Sequence, residues 1–329
     1  MSSTMPNDVN YKEHFESQDD DEIDLGQLWR AIWAGKIVIM VISFIFAVAS
    51  VTYALSKPDI YKASVLLSPT ASEGGGGLAG LSGQFGGLAS LAGINLGGSG
   101  GDKTTLALEI IKSRSFIETF ISKHNLLVPL MAAKKWNISN DELIYDKDLY
   151  DIDKNKWLRE VKAPKKVEPS PWESFKAFSK LLSVSQDKAT SMVTIELSFF
   201  SPNVAKQWLI WLVEDLNNFV REQDQQNSQN SIDYLTKQLE KTQVTNMETV
   251  FYQLIEEQTK NMMLTQVNKE YVLKTIDPAQ VPDRKDQPKR ALIVVLGTIL
   301  GGILSVIIVL IRYFSNSNYS TKVKEEKLA

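Results

Sequence analysis

The chain has 329 residues, a formal net charge of −3 and no cysteine, which excludes disulfide frameworks, thiolate zinc sites and cysteine nucleophiles together. His14 and His124 are the only imidazoles, so little remains for histidine-based metal or triad chemistry. Two uninterrupted apolar stretches, residues 37–56 and 291–311, each match the roughly 20 residues that cross a bilayer core about 30 Å thick.

These stretches divide the chain into a head (1–36), a first transmembrane helix (37–56), a middle (57–290), a second transmembrane helix (291–311) and a tail (312–329). The head carries three basic and eight acidic residues, and the middle 29 of each. A nucleic-acid surface needs a concentration of Lys and Arg to displace counterions, so the neutral middle excludes nucleic acid as its partner. The first stretch is longer than the roughly 7–15 apolar residues of a signal peptide and has no small-residue cleavage site after Tyr53 and Leu55, which reads as a retained anchor. Positive charge is nearly balanced around the spans. Comparison with topologies that export both short tails favours a cytoplasmic head and tail, with the middle outside.

In chain order, the polar start (Met1–Glu22) gives way to Leu25, Leu28, Trp29, Ile32 and Trp33, one face of a helix, with Asp24 and Gln27 spaced as a capping pair. The tryptophans suit the headgroup level. This helix is either an extension of the span or a docking element for another protein. After the span, Tyr61, Ala63, Val65 and Leu67 alternate as a strand. A matching run, Tyr271–Ile276, precedes the second span, and pairing of the two would close the middle domain. Residues 73–101 form a loop holding thirteen of the eighteen glycines, a composition of low order.

A helix is then expected from Leu106 to about Asn125. Asp141–Lys166 is too charged to assign. Ser170-Pro171-Trp172-Glu173 combines an N-cap, a proline at the first helical position and a capping-box acid, starting a helix to about Leu182. Val193, Ile195, Leu197 and Phe199 alternate as the clearest strand. From Ser201-Pro202 to about Lys241 nothing breaks a helix, which at ~1.5 Å per residue would be roughly 60 Å long. Its middle, Arg221–Ser231, is polar, and apolar residues return at Ile232, Leu235 and Leu239. A break around Thr242–Asn246 precedes a returning helix with Met247, Val250, Phe251, Leu254, Ile255 and Met262. The fold class is α+β: a base (57–200 and 271–290) with a long helical hairpin (202–270), anchored by two transmembrane helices.

Motifs with chemical meaning are weak. Gly75–Gly80 satisfies GxGxxG, but in so glycine-rich a segment it arises by chance and lacks a βαβ unit. Gly100–Thr104 resembles the end of a P-loop, yet Asp102 would set a carboxylate against phosphate. Asp146, Asp148, Asp151 and Asp153 lack the glycine and terminal glutamate of an EF-hand and read as a solvated loop. No catalytic residue, cofactor site or metal site is indicated. Gly297 and Gly301 form a GxxxG with Gly302 beside them, spacing that permits close helix approach. Packing against a neighbouring helix and glycines without a partner both remain open. Pro278, Pro282 and Pro288 restrict the backbone between the last strand and the second span, giving a semi-rigid strap or a plain linker.

Taken together, Glu22-Ile23-Asp24-Leu25, Ile60-Tyr61-Lys62-Ala63, the stretch Gly86–Gly93, the long helix from Ser201 and the proline strap with Gly297, Gly301 and Gly302 resemble the polysaccharide co-polymerases of Wzz type, over nearly the whole chain. The resemblance implies a non-enzymatic inner-membrane scaffold of a Gram-negative cell. Its outer domains would form a ring-like homo-oligomer that sets the modal length of O antigen or a related polysaccharide. The partners implied are a separate membrane polymerase, the bilayer and the growing glycan. Exopolysaccharide relatives carry a tyrosine-kinase domain after the second span, whereas the eighteen residues after Ile311 hold no Walker motif or tyrosine cluster, resembling the kinase-lacking class. The rival readings are a two-span ligand-sensing receptor, for which head and tail offer no output domain, and a co-polymerase for an exopolysaccharide or an enterobacterial-common-antigen-like polymer. A glycan-cleaving enzyme lacks an acid/base pair.

Overall fold

The computed structural model describes residues 25–70, 100–242 and 245–326. The polar start of the head, the Asp24 cap and nearly all of the glycine-rich loop, including the GxGxxG match, lie outside them. The chain forms two compact units, residues 1–56 with 289–329 and residues 57–288.

The first unit is helical. α1 (Leu25–Ala34) is followed at Gly35 by α2 (Lys36–Ser56), and α9 spans Arg290–Glu326. Two segments, Lys36–Ser56 and Arg290–Phe314, are long and apolar enough to cross a membrane, with mean hydropathy 2.5 and 2.9. α2 and α9 pack against each other, and α1 packs on α9. Ala31 is buried while Trp29 and Trp33 are exposed with their rings 6.5 Å apart, so α1 turns its alanine face inward and its tryptophan face out.

The second unit is α+β. Its four-stranded antiparallel sheet has the order β6-β7-β1-β8, from β1 (Tyr61–Pro69), β6 (Leu182–Gln186), β7 (Val193–Phe199) and β8 (Leu273–Asp277). Alternation puts Ala63, Val65 and Leu67 of β1 and Val193, Ile195, Leu197 and Phe199 of β7 on one buried face. β1 pairs with β8 from Leu66↔Asp277 to Pro69↔Leu273, the pairing expected from the sequence. β6, which lies where the sequence suggested the end of a helix, carries only Leu182 and Val184 as an apolar alternation.

Around the sheet lie α3 (Gly100–Lys112), α4 (Arg114–Lys123), α5 (Leu127–Ala132) and α6 (Pro171–Ser179). The single helix expected over 106–125 is broken: the Ser113 hydroxyl accepts from Phe116 N and caps α4. At α6 the capping box is complete, with the Ser170 hydroxyl accepting from Glu173 N and the Glu173 carboxylate from Ser170 N. The segment left unassigned forms two small hairpins, β2 (Ala133–Asn137) with β3 (Glu142–Tyr145), and β4 (Tyr150–Asp151) with β5 (Lys156–Trp157).

α7 (Pro202–Leu239) is capped by Ser201 and, at 38 residues, is about 57 Å long. Ala205, Trp208, Leu209, Leu212, Val213, Leu216 and Val220 are buried and recur on one helical face, which covers the sheet. Trp208 also meets Phe178 and Phe199, with ring centroids 6.2 Å and 4.5 Å away. α8 (Thr245–Val267) returns along α7, and a second apolar cluster, buried Leu235 with Phe251, Leu254 and Ile255, holds the far part of the hairpin together.

Candidate functional site

The strap follows β8 directly. Pro278 is exposed and Pro282 and Pro288 are half-buried, whereas Ala279 between them is buried. The strap is not free at its far end. Ile60 N donates to Gln287 O at 2.9 Å, and Asp286 N and Gln287 N donate to Ile60 O at 2.8 and 3.2 Å. Lys285 pairs with Asp59 at 3.2 Å, and Lys62 lies between Glu196 and Asp286 at 3.5 and 3.7 Å. These side chains are about one-third exposed, so each ion pair is worth little, roughly 0–1 kcal/mol. The backbone bonds hold the clamp. It therefore joins the residues entering the second unit to those leaving it.

Sequence reasoning missed the residue that fixes the other end of the strap. Asn217 of α7 is buried; its Oδ1 accepts from Val272 N at 2.9 Å and Leu273 N at 3.0 Å, and its Nδ2 donates to Leu273 O at 3.0 Å. Pro69, which faces Leu273 across the β1–β8 pair, has no N–H to offer. One amide thus ties the long helix to the strand that becomes the strap. In sequence Asn217 is only a polar residue between Leu216 and Phe219, without a signal of its own.

About two turns further along α7, Asp224 accepts from Lys103 Nζ and from Tyr271 Oη, both at 2.8 Å. Burial disfavours the Lys103 ammonium, but the Asp224 carboxylate outweighs it and the amine titrates above its usual range. Burial, with the Asp224 charge added, pushes the Tyr271 phenol up. A cleft of about 750 Å³ opens beside this trio, lined by Thr70, Asn261, Asn268 and Lys269 among others. The polar middle of α7 therefore carries directed contacts to α3 and to the start of β8. Elsewhere, Asp146 is occupied by Lys134 Nζ at 2.9 Å and the Asp148 N–H at 3.1 Å, and Asp151 by the Lys154 N–H at 3.1 Å. Among the described residues no group of acidic or histidine side chains is arranged to hold a metal.

In the first unit, the glycines of α9 face α2 of the same chain. A Cβ on Gly297 would overlap Ser50 Oγ, one on Gly301 would sit 2.5 Å from Phe46 Cβ, and one on Gly302 would touch Ser43 Oγ at 3.8 Å. Gly35, which the sequence reading passed over, has the same relation to Val309. The contacts run antiparallel, from Arg290 Nε on Ala54 O at 3.3 Å to Gly35 against Val309.

In sequence, the α+β domain and its long helical hairpin lie between two apolar helices of membrane-crossing length. Residues 21–124 match the family model for the chain length determinant protein, Wzz, and residues 235–314 match the model for a G-rich domain on putative tyrosine kinase. No curated protein sequence matches the chain. Among solved structures, it is similar to a full-length bacterial polysaccharide co-polymerase (12% identity, 90% of this chain and 99% of that one, TM-score 0.42). It is also similar to a fragment of WzzB, a polysaccharide co-polymerase from Salmonella Typhimurium (12% identity, 70% and 100%, TM-score 0.31). Over residues 21–124 the chain therefore carries the likeness of a chain-length determinant.

Proposed function

We propose that this protein sets the modal length of O antigen or a related surface polysaccharide, as a homo-oligomer working with a separate membrane polymerase. The observation that carries the reading is the chain-length-determinant match over residues 21–124, which takes in the first span, β1, α3 and α4. The two apolar helices support a multi-pass inner-membrane protein with the second unit in the periplasm and both termini in the cytoplasm. In this reading residues 1–36 and 312–329 are the cytoplasmic head and tail, 37–56 and 291–311 the membrane spans, and 57–290 the periplasmic domain. The proline strap carries the position of that domain to the second span, and Gly297, Gly301 and Gly302 act through packing rather than chemistry. Deletion of the gene, followed by electrophoresis of the surface polysaccharide, tests the reading: the length distribution should lose its mode, with repeat-unit synthesis intact. An unchanged distribution would overturn it.

A further inference from the structure

The tip of the β2–β3 hairpin combines features that the proposed function does not use. Ile138 at the tip is 71% exposed, beside the polar Ser139 and Asn140. A single exposed isoleucine is ordinary; this one stands on a braced platform. Trp136 Nε1 donates to Asp141 Oδ1 at 2.8 Å, and Asn203 Nδ2 of α7 donates to Asp141 Oδ2 at 2.7 Å. Asp141 itself holds a left-handed backbone, φ 53°, and Asn137 Oδ1 accepts from Ser139 N at 3.0 Å. The Trp136 ring meets Tyr61 edge-on, with centroids 5.4 Å apart. The tip is therefore held in one place, and Ile138 cannot fold back into the core.

That place is the end of the second unit where both of its chain termini lie. Tyr61 pairs with Phe199, Asn203 follows in the first turn of α7, and Ile60 is bonded to Gln287. Tyr61 comes five residues after Ser56, the last residue of α2, a covalent tether of at most roughly 18 Å. α2 has 21 residues, about 31 Å of helix against a bilayer core of about 30 Å, so the tether begins in the headgroup layer. Chain length alone thus keeps Tyr61 within roughly 18 Å of the end of α2. The chemistry of the platform is that of the interface: two amphipathic rings and an aliphatic side chain, with the exposed Lys135 and Arg284 suited to anionic headgroups.

We propose that the β2–β3 tip is an interfacial foot, with Ile138 inserted among the lipid headgroups and Trp136 and Tyr61 behind it. The absence of cysteine makes the test direct. The full-length Ile138→Cys protein carries an environment-sensitive fluorophore and is reconstituted in vesicles of phosphatidylethanolamine and phosphatidylglycerol containing headgroup nitroxide lipid. The reference is Lys188→Cys, in the turn between β6 and β7, at the opposite end of the sheet from Tyr61.

Quenching at 138 should exceed that at 188 by at least about twofold, because nitroxide acts only over the few ångströms of the headgroup layer. A fluorophore on Ser139→Cys should be quenched likewise, and should lose that quenching when Ile138→Asp is added. Equal quenching at 138 and 188 overturns the proposal. So does a disulfide between two copies at 138 without quenching, which would assign the tip to a subunit contact. None of these readings depends on polysaccharide length, so the foot and the proposed function fail separately.

Discussion

Asn217 offers the sharpest test of how the hairpin is joined to the strap. Asn217→Ala removes one acceptor and one donor and leaves the N–H groups of Val272 and Leu273 and the carbonyl of Leu273 without them. Val272 and Leu273 are both buried. A buried polar group left unpaired costs about 1–3 kcal/mol, so three would cost about 3–9 kcal/mol if nothing relaxed. Water entering the vacated side-chain volume and small shifts of β8 recover part of this, and we expect a loss of about 3–5 kcal/mol, large for a single substitution. The assay is denaturant unfolding of the detergent-solubilised full chain, followed through the tryptophan signal, since Trp208 and Trp211 lie on the same helix as Asn217. Asn230→Ala is the control: its side chain accepts only from the exposed Gln226 one turn away, and the change should stay within about 0.5 kcal/mol. A loss below about 1 kcal/mol for Asn217→Ala would refute the view that this amide is the tie between α7 and β8.

Three further outcomes are expected. Ser43→Cys with Gly302→Cys should form an intrachain disulfide readily, and Gly297→Leu with Gly301→Leu should abolish it by forcing α9 off Ser50 and Phe46; an unchanged yield would show that the glycine contacts do not hold the pair. Replacing Pro278, Pro282 and Pro288 by alanine should leave protein abundance unchanged yet broaden or shorten the polysaccharide distribution on a gel, whereas a plain spacer would leave the distribution as it was. The Arg159 guanidinium and the Ser170 N–H hold the Glu173 carboxyl down from the ordinary 4.5 to about 2. Because the folded value is the lower one, the stabilisation is complete above pH 4.5 and is lost as the pH falls through about 2; Glu173→Gln should flatten the acid limb of a stability–pH curve across that window.

The legible parts of the fold were those with a long period or a complete local signal. β7 shows four alternating apolar residues, α7 runs without a breaker from its Ser201 cap, and Ser170 with Glu173 spells out a capping box. β6 was hidden because two apolar residues set no period, and its pairing with β7 is decided in three dimensions. The break at Ser113 was hidden because Ser113 has no glutamate partner three residues on and the apolar spacing continues across it. The hairpins of residues 133–157 hold their turns by polar contacts such as Trp136 with Asp141, which a charged sequence does not advertise. Of the candidate site, the prolines and glycines could be named from their backbone properties. Their partners at Ile60, Asn217, Ser50 and Phe46 could not, because ordinary residues gain those roles only from long-range placement.

Because β1 and β8 are adjacent antiparallel strands, the chain leaves the second unit at the end where it enters it, and the two connections are bonded to each other there through Ile60 and Gln287. α7 and α8 pack against each other, and their far part is sealed by the cluster around Leu235. Equal numbers of helical turns could be added to or taken from both arms there without disturbing the sheet, the Asn217 tie or the clamp at Ile60. The reach of the hairpin is thus a dimension that sequence change can adjust alone, while the route back to the membrane stays constant.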